Sequence, residues 1–436
     1  MSEGKLTYRQ ILIFWLPLAA TWFIMSIENP YLTAIIARMA EPKFNLAAYG
    51  VAFSFALIIE APVIMMMSAS TALVKDYDSY RQLKNFTYVL NFILTGIMLL
   101  ILIPPIFDFI AIDLIALPQK VADLTYVAMI LLVPWPGAIG YRRFYQGILI
   151  NSNQTRKVAY GTLIRLISMS GTALILYFYF NVDGVVIGAS ALSAGVVMEG
   201  LSSKFMAKDI LNEYRSKQTD SQKVLNFKEI FNFYYPLALT SIIALGVHPM
   251  VTFFLGQSRM ALESLAVLPV INGFVFIFRG TGLSFQEVGI ALLDKPNKSH
   301  NYKILRNFAL GGGLMVVVLL AIVAFTPLAN LWFEDVAGLS KSLASFSEPP
   351  LMIMALMPGL TFLIAFQRSI LVNSKRTKPI TIATAIEVTS IILILLVTIK
   401  HFDLIGVIAA TIAFVLGRLA ATAYLAKSFS QEIHKY

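Results

Sequence analysis

Apolar residues run through this chain in blocks far longer than a soluble helix requires, with short polar stretches between them. Twelve blocks can be marked: 11–38, 46–74, 85–107, 122–150, 158–181, 184–207, 230–256, 262–293, 305–332, 345–372, 380–400 and 402–427. A helix needs roughly 20 mainly apolar residues to cross the hydrocarbon layer, and each block supplies about that many or more. The longest polar connection, Lys208 to Lys228, lies between the sixth and seventh blocks. The pattern predicts an all-α integral membrane protein of twelve spanning helices. Residues 1–207 form an N-terminal six-helix lobe, 208–228 a cytoplasmic linker, and 229–436 a C-terminal six-helix lobe.

The two lobes repeat each other. Phe233-Tyr-Tyr-Pro-Leu-Ala-Leu-Thr240 echoes Phe14-Trp-Leu-Pro-Leu-Ala-Ala-Thr21 at a spacing of 219, which also places Pro30 on Pro249 and Leu46-Ala47 on Leu265-Ala266. Later the spacing becomes 222. Arg81-Gln-Leu-Lys-Asn-Phe86 then matches Lys303-Ile-Leu-Arg-Asn-Phe308, Gly147-Ile-Leu-Ile-Asn-Ser152 matches Ser369-Ile-Leu-Val-Asn-Ser374, and Gly184 matches Gly406. A single unit written twice is a feature of many transporter folds. Six helices per unit give both copies the same orientation, so the expected symmetry axis runs along the membrane normal.

Composition agrees with a lipid solvent: 58% of the 436 residues are hydrophobic and 13% charged, whereas a soluble domain carries roughly 25% charge. The mean hydropathy is +0.75. No cysteine is present, which excludes disulfides and thiolate metal sites. The first apolar run is too long for a cleavable signal peptide. The formal charge of +10 need not mean nucleic acid. Lys and Arg gather in the tails and in the loops after even-numbered helices, among them Lys75, Arg81, Lys84, Arg156, Lys157 and the 208–228 connection. The opposite loops hold only Arg38, Lys43, Lys120, Arg259, Lys341 and Lys400. Positive charge collects on the cytoplasmic side, so both termini are expected there, in a multi-pass protein of the cell membrane, the inner membrane in a bacterium.

Eleven charges remain inside the predicted spans: Arg142, Arg143, Arg165, Arg279, Arg368 and Arg418, with Glu28, Glu60, Glu199, Glu287 and Glu387. Each costs at least ~2.5–3.5 kcal/mol at the bilayer centre unless it pairs, snorkels or lines water. The repeat sets Glu60 on Arg279 and Arg165 on Glu387. Opposite charge at equivalent positions suits an inter-lobe gate; local pairing within each lobe is the alternative. Arg279 is the candidate substrate contact, with Glu60 as its partner. Arg142, Arg143 and Arg368 are further anion-binding candidates, or else snorkel to the membrane edge, because a guanidinium fork matches carboxylate and phosphate. Glu28 lies two residues before Pro30, where a proline frees a carbonyl and bends the helix, and is the candidate ion-coupling site. His248, beside Pro249 in the second copy, and Glu287 are the other coupling candidates, His248 because imidazole titrates near neutrality. Each also reads as a packing or helix-end residue.

The chain lacks a zinc-binding His-Glu-x-x-His, a phosphate-binding Gly-rich loop with lysine, and a Gly-x-Ser-x-Gly nucleophile elbow. No catalytic residue, metal or cofactor is expected. The short loops leave no room for a nucleotide-binding domain, so pumping should draw on an H⁺ or Na⁺ gradient.

Twelve helices in two copies, each opening with a Pro-Leu-Ala helix followed by a Leu-Ala-rich one, resemble the multidrug/oligosaccharidyl-lipid/polysaccharide (MOP) exporter superfamily. Its multidrug and toxic compound extrusion (MATE) transporters are the best-known members. The resemblance implies a central cleft walled by the first, second, seventh and eighth helices. It also implies a cation-coupled acid in the first helix, where Glu28 stands and Asp is usual. Within the superfamily, Leu46-Ala-Ala-Tyr-Gly-Val-Ala-Phe-Ser54, Pro249-Met-Val-Thr-Phe-Phe254, Glu263-Ser-Leu-Ala-Val-Leu268 and Gly147-Ile-Leu149 look closest to the progressive ankylosis protein family. That branch implies export of a small polyvalent anion such as pyrophosphate, a nucleotide or citrate. Two alternatives stand beside it: Na⁺- or H⁺-coupled efflux of organic cations, and flipping of a lipid-linked precursor. The expected partners are an anionic small molecule and membrane lipid, with no nucleic acid, for a monomer.

Overall fold

A computed structural model describes residues 6–36, 38–115, 117–216, 226–294 and 296–433. The side chains at 29, 43, 248, 249, 262, 266 and 433 lie outside that description. Among the described residues there is no β-strand, and twelve helices are long and apolar enough to cross a membrane. They are α1 (Tyr8–Ile36), α2 (Phe44–Leu73), α3 (Tyr77–Ile101), α4 (Gln119–Asn151), α5 (Thr155–Tyr179), α6 (Gly184–Ser216), α7 (Phe227–Gly256), α8 (Glu263–Leu293), α9 (Lys298–Ala324), α10 (Lys341–Asn373), α11 (Lys378–Lys400) and α12 (Gly406–Glu432). This is the all-α, twelve-helix architecture expected.

Helix ends overrun the apolar blocks, because backbone hydrogen bonding does not stop where hydrocarbon stops. The third block begins at 85, yet α3 starts at Tyr77, where a capping box closes its first turn. Ser79 N donates to Asp76 Oδ1 at 2.8 Å, and Asp76 N donates to Ser79 Oγ at 3.0 Å. Two spans expected to be continuous are broken. α4 consists of Gln119–Leu131 and Trp135–Asn151, and α10 of Lys341–Met354 and Met357–Asn373. Pro134, Pro136 and Pro358 supply no amide hydrogen at these breaks. α2 likewise passes through a 3₁₀ turn at Ala61–Val63, around Pro62. By contrast α1 stays helical through Pro30, and α8 through Pro269. The second expected bend, at Pro249, concerns a side chain outside the described set.

Packing divides the chain into two compact units: Ile24–Ser241, and Met1–Phe23 together with Ile242–Tyr436. The divisions fall inside α1 and α7, whereas polarity had pointed to 208–228, of which 217–225 lie outside the described residues. Aromatic anchors explain the exchange. In the first unit, the start of α7 is held by Tyr234, whose hydroxyl donates to Pro62 O at 2.6 Å and whose ring meets Phe86 at 5.4 Å. In the second unit, the start of α1 is held by Trp15, whose Nε1 donates to Thr281 O at 3.1 Å and whose ring meets Phe308 at 5.6 Å. Trp15, Thr281 and Phe308 are the repeat equivalents of Tyr234, Pro62 and Phe86, so each copy makes the same contact with the other copy's first helix. Each unit has its own apolar core, around Leu32, Tyr49 and Met129 in the first and Val251, Phe274 and Phe333 in the second.

Close helix approach in each unit depends on one glycine facing one serine. A Cβ added to Gly147 on α4 would stand 2.5 Å from Ser70 Cβ and 2.6 Å from Met67 O on α2. At the equivalent crossing the roles reverse. A Cβ on Gly289 of α8 would stand 2.2 Å from Ser369 Oγ and 2.6 Å from Ser369 Cβ on α10. Small residues permit such approach in lipid, where helices associate by packing. Gly289→Ala should therefore destabilise the protein by about 1–3 kcal/mol through overpacking. Ser369→Gly in the same chain should recover most of that loss. Thermal unfolding in detergent measures both, and a double variant as unstable as Gly289→Ala rejects the assignment.

Candidate functional site

In the Ile24–Ser241 unit, four helices and the latter part of α1 bring six charges into one buried network. α1 contributes Glu28, α2 Glu60, α4 Arg142 and Arg143, α5 Arg165, and α6 Glu199. Arg165 Nη2 donates to Glu28 Oε2 at 2.5 Å, while its Nη1 lies 3.5 Å from Glu199 Oε2. Arg142 Nη1 pairs with the same Glu199 oxygen. Glu199 Oε1 accepts from Gln146 Nε2 at 2.9 Å and from Thr162 Oγ1 at 3.2 Å. Helical spacing builds these sets: Arg142 and Gln146 are one turn apart on α4, as are Thr162 and Arg165 on α5.

Trp135 joins Glu60 to this network. Its Nε1 donates to Glu60 Oε2, and the Arg165 guanidinium stands 5.6 Å from its ring centre, a cation–π contact. Arg142 and Arg143 stand on the same helical segment as Trp135 and supply the remaining two cations. Three carboxylates and three guanidiniums thus balance within one unit. Arg165 and Glu28 are only 4% and 5% exposed, so their charges depend on each other rather than on solvent. One oxygen of the pair, Glu28 Oε1, is buried without a hydrogen-bond partner.

The second unit carries a different balance. Arg418 of α12 donates from Nε and Nη2 to Glu387 Oε1 of α11, each at 2.8 Å. Gly417 permits this closeness: a Cβ there would stand 3.0 Å from Glu387 O. Arg368 of α10 donates from Nη2 to Thr384 Oγ1 at 3.0 Å. Thr384 lies three residues before Glu387, on the same face of α11. Arg279 of α8 makes no ion pair with another described residue, and Arg418 and Glu387 are charged groups within electrostatic reach of it and of Arg368. The Nε atoms of Arg279 and Arg368 are buried and unpartnered. Three guanidiniums therefore share one carboxylate, a formal surplus of two positive charges. Arg418 and Glu387 are about equally enclosed, their side chains 11% and 12% exposed.

Of the expected site residues, Glu28, Glu60, Arg142, Arg143 and Arg165 gather in the first unit, and Arg279, Arg368 and Glu387 in the second. Arg165 and Glu387, expected to face each other as a gate, each bond a partner inside their own unit, and Glu60 bonds Trp135. Glu287, eight residues beyond Arg279 on α8, is buried. The side chain of His248 lies outside the described residues. Sequence reasoning gave no site role to Glu199, Arg418, Trp135, Gln146, Thr162 or Thr384. Glu199 and Arg418 had been visible as intramembrane charges. The polar residues one turn from an arginine or acid were the remaining signal. Among the described residues no group of three His, Cys, Asp or Glu stands ready to hold a metal ion.

No family model matches the chain, and no curated protein matches it in sequence. Solved structures do match it. One is a multidrug resistance MATE family transporter of the MOP superfamily in an outward-facing conformation, with a TM-score of 0.76 and 15% identity over 99% of this chain and 97% of that one. VcmN, a MATE transporter of Vibrio cholerae, matches in its bent form with a TM-score of 0.72 and 15% identity over 97% of both chains. A MOP superfamily transporter from Pyrococcus furiosus matches with a TM-score of 0.72 and 13% identity over 99% of both chains. The binding pocket of that protein is described as having reverse polarity, suggesting a different function. At these identities the likeness establishes the fold: the chain has the MATE-type fold of the superfamily.

The balanced network yields a stability test. Arg165→Ala leaves Glu28 buried without its ion-pair partner and should cost about 3–5 kcal/mol, as loss of one partner of a buried pair does. Adding Glu28→Gln to that change should recover part of the loss. Unfolding of the single and double variants in detergent measures the coupling, and strict additivity rejects it.

Proposed function

We propose that this protein is an alternating-access secondary active transporter that exports a small polyvalent anion, with Arg279, Arg368 and Arg418 as the anion's contacts. The observation that carries this reading is the surplus of guanidinium over carboxylate among Arg279, Arg368, Arg418 and Glu387. A buried arginine in a membrane segment requires a counter-charge, and of these three only Arg418 has an ion pair among the described residues. A carboxylate or phosphate meets a guanidinium through parallel hydrogen bonds, and the unpartnered Nε atoms of Arg279 and Arg368 offer donors for them.

Further support comes from the fold, shared with transporters, and from the resemblance of short strings to the progressive ankylosis protein family. The solved structures bear on the superfamily fold and not on that branch, so the branch belongs to the proposal. The reverse polarity described for the Pyrococcus furiosus pocket provides a precedent within the fold for a site that departs from its relatives.

Glu28 is the proposed coupling residue. Its carboxylate is held by Arg165, and one oxygen lacks a partner. A proton arriving at Glu28 would weaken the hold on Arg165 and hand that cation to Glu199. Ion binding and helix α1 are thereby linked through one side chain. This protonation also removes one negative charge from a balanced set, so it is disfavoured unless the network rearranges.

A second reading, efflux of organic cations, draws on the neighbours described as multidrug resistance and MATE transporters. It would use the carboxylates of the first unit. Against it, Glu28 and Glu199 already face arginine, and Glu60 is bonded by Trp135 with arginines close by.

Reconstituted protein separates the readings. Anion flux in proteoliposomes should fall at least about tenfold in Arg279→Ala, the size expected when a charge-assisted contact worth 1.5–3 kcal/mol is lost. Unchanged flux removes Arg279 from the mechanism, and flux of organic cations alone favours the second reading. Glu28→Gln should leave anion binding intact but make flux insensitive to an imposed H⁺ or Na⁺ gradient. A variant that still follows the gradient assigns coupling elsewhere.

A further inference from the structure

We propose that Glu387 sets the valence of the transported ligand, acting as a built-in counter-anion that tunes the α8–α12 cluster to dianions. The inference rests on reading that cluster as the substrate's site. Its physical basis is charge balance in a poorly solvated place. Three guanidiniums without Glu387 would carry three positive charges and favour a trianion. With Glu387 bonded twice to Arg418, one guanidinium is neutralised inside the protein and two remain.

The two that remain are the ones with buried, unpartnered Nε atoms, Arg279 and Arg368. They come from different helices, α8 and α10. A ligand with two negative groups, one for each guanidinium, completes the set. A monoanion leaves one arginine uncompensated, and a trianion brings surplus negative charge beside a buried carboxylate. Charges interact more strongly where solvent screening is weak, so a mismatch of one charge sorts ligands by valence.

The arrangement around Glu387 fits a fixed counter-ion. Its carboxylate is held on the α11 face that also carries Thr384, the partner of Arg368. Gly417 keeps α12 against α11 and so keeps Arg418 in reach. At the repeat-equivalent position of the first unit stands Arg165, so the charge here has been reversed between copies. Arg418 corresponds to Val196 and Arg368 to Gln146, which shows that this cluster is a property of the second copy alone.

The test uses the full-length protein in detergent and a series of linear carboxylates of one, two and three charges: acetate, succinate and tricarballylate, at constant ionic strength. Apparent affinity is read from ligand-induced thermal stabilisation. The wild type should prefer succinate. Glu387→Gln keeps an acceptor for Arg418 while removing the charge, and should raise the tricarballylate-to-succinate affinity ratio by about tenfold or more. Arg418→Gln lowers the cluster by one positive charge and should move preference the opposite way, towards acetate. Opposite shifts for the two charge variants support the proposal, because damage to packing has no reason to follow ligand valence. Ratios that stay fixed, or move together, overturn it while leaving the anion reading intact. A wild type stabilised by none of the three anions, nor by pyrophosphate, removes the anion reading and this proposal with it.

Discussion

An ionised side chain in a membrane-spanning helix has few options: a counter-charge, a water-filled space, or the membrane edge. The cost of failing to find one is several kcal/mol per group, as large as the margin by which a whole domain is folded. This constraint sets the rotation of nearly every helix in the Ile24–Ser241 unit. Glu28, Arg142, Arg165 and Glu199 bond directly, so α1, α4, α5 and α6 must present these faces to one another. Trp135 then ties α2 to the same point through Glu60. Apolar packing could be satisfied by several rotations of a Leu- and Ala-rich helix. The ionic network admits one.

The repeat shows what was copied and what was free to change. Backbone geometry was copied closely. Glu41 and Met260, 219 residues apart, both take left-handed conformations, at φ +47° and +55°; Asn153 and Lys375, 222 apart, do the same at +62° and +58°. Such angles are uncommon for residues other than glycine, so their recurrence reflects the same tight connection built twice. Asn45 Oδ1 accepts from Val185 N at 2.9 Å, and Ser264 Oγ accepts from Val407 N at 3.0 Å, which satisfies an otherwise orphaned amide in the first turn of α6 and of α12. Two wide turns recur as well, with Leu117 N donating to Ala111 O and Leu339 N to Phe333 O, both at 2.9 Å. In each case the bond survived although the side chain supplying or surrounding it did not.

Much of this was legible in the sequence because lipid leaves so little choice. Long apolar runs could only be helices, and their duplication fixed the order of elements. The breaks at Leu132–Pro134 and near Pro358 were less legible, because a proline in a membrane span bends one helix and interrupts another according to what its neighbours offer. The exchange of α1 and α7 between units was invisible to polarity: Trp15 and Tyr234 look like ordinary interfacial aromatics until their hydrogen bonds to Thr281 O and Pro62 O are seen. The charged residues themselves were all readable. Their partners were not, since a repeat aligns positions and says nothing of side-chain reach. Arg165 was matched to Glu387 by alignment, yet Glu28 is the carboxylate within 2.5 Å of it.

Duplication followed by charge reversal explains why the two units differ in kind. Glu60 stands where the second copy has Arg279, Arg165 where it has Glu387, and Gln146 where it has Arg368. The exchanges at Arg165 and Gln146 sit on helices of the same course in both copies, whereas Glu60 adjoins a 3₁₀ turn that α8 lacks beside Arg279. The first copy sets three carboxylates against three guanidiniums, with Arg142 and Arg165 bonded to Glu199 and Arg165 to Glu28. In the second copy, Glu199 and Arg142 are replaced by Ala421 and Ile364, and Glu387 is bonded to Arg418 rather than to Arg279 or Arg368. A membrane protein retains such an imbalance only if something else compensates it for part of its cycle. On the proposed reading that something is the ligand. Closure in one copy and deficit in the other then separate two tasks, sensing an ion and holding an anion, on one duplicated scaffold.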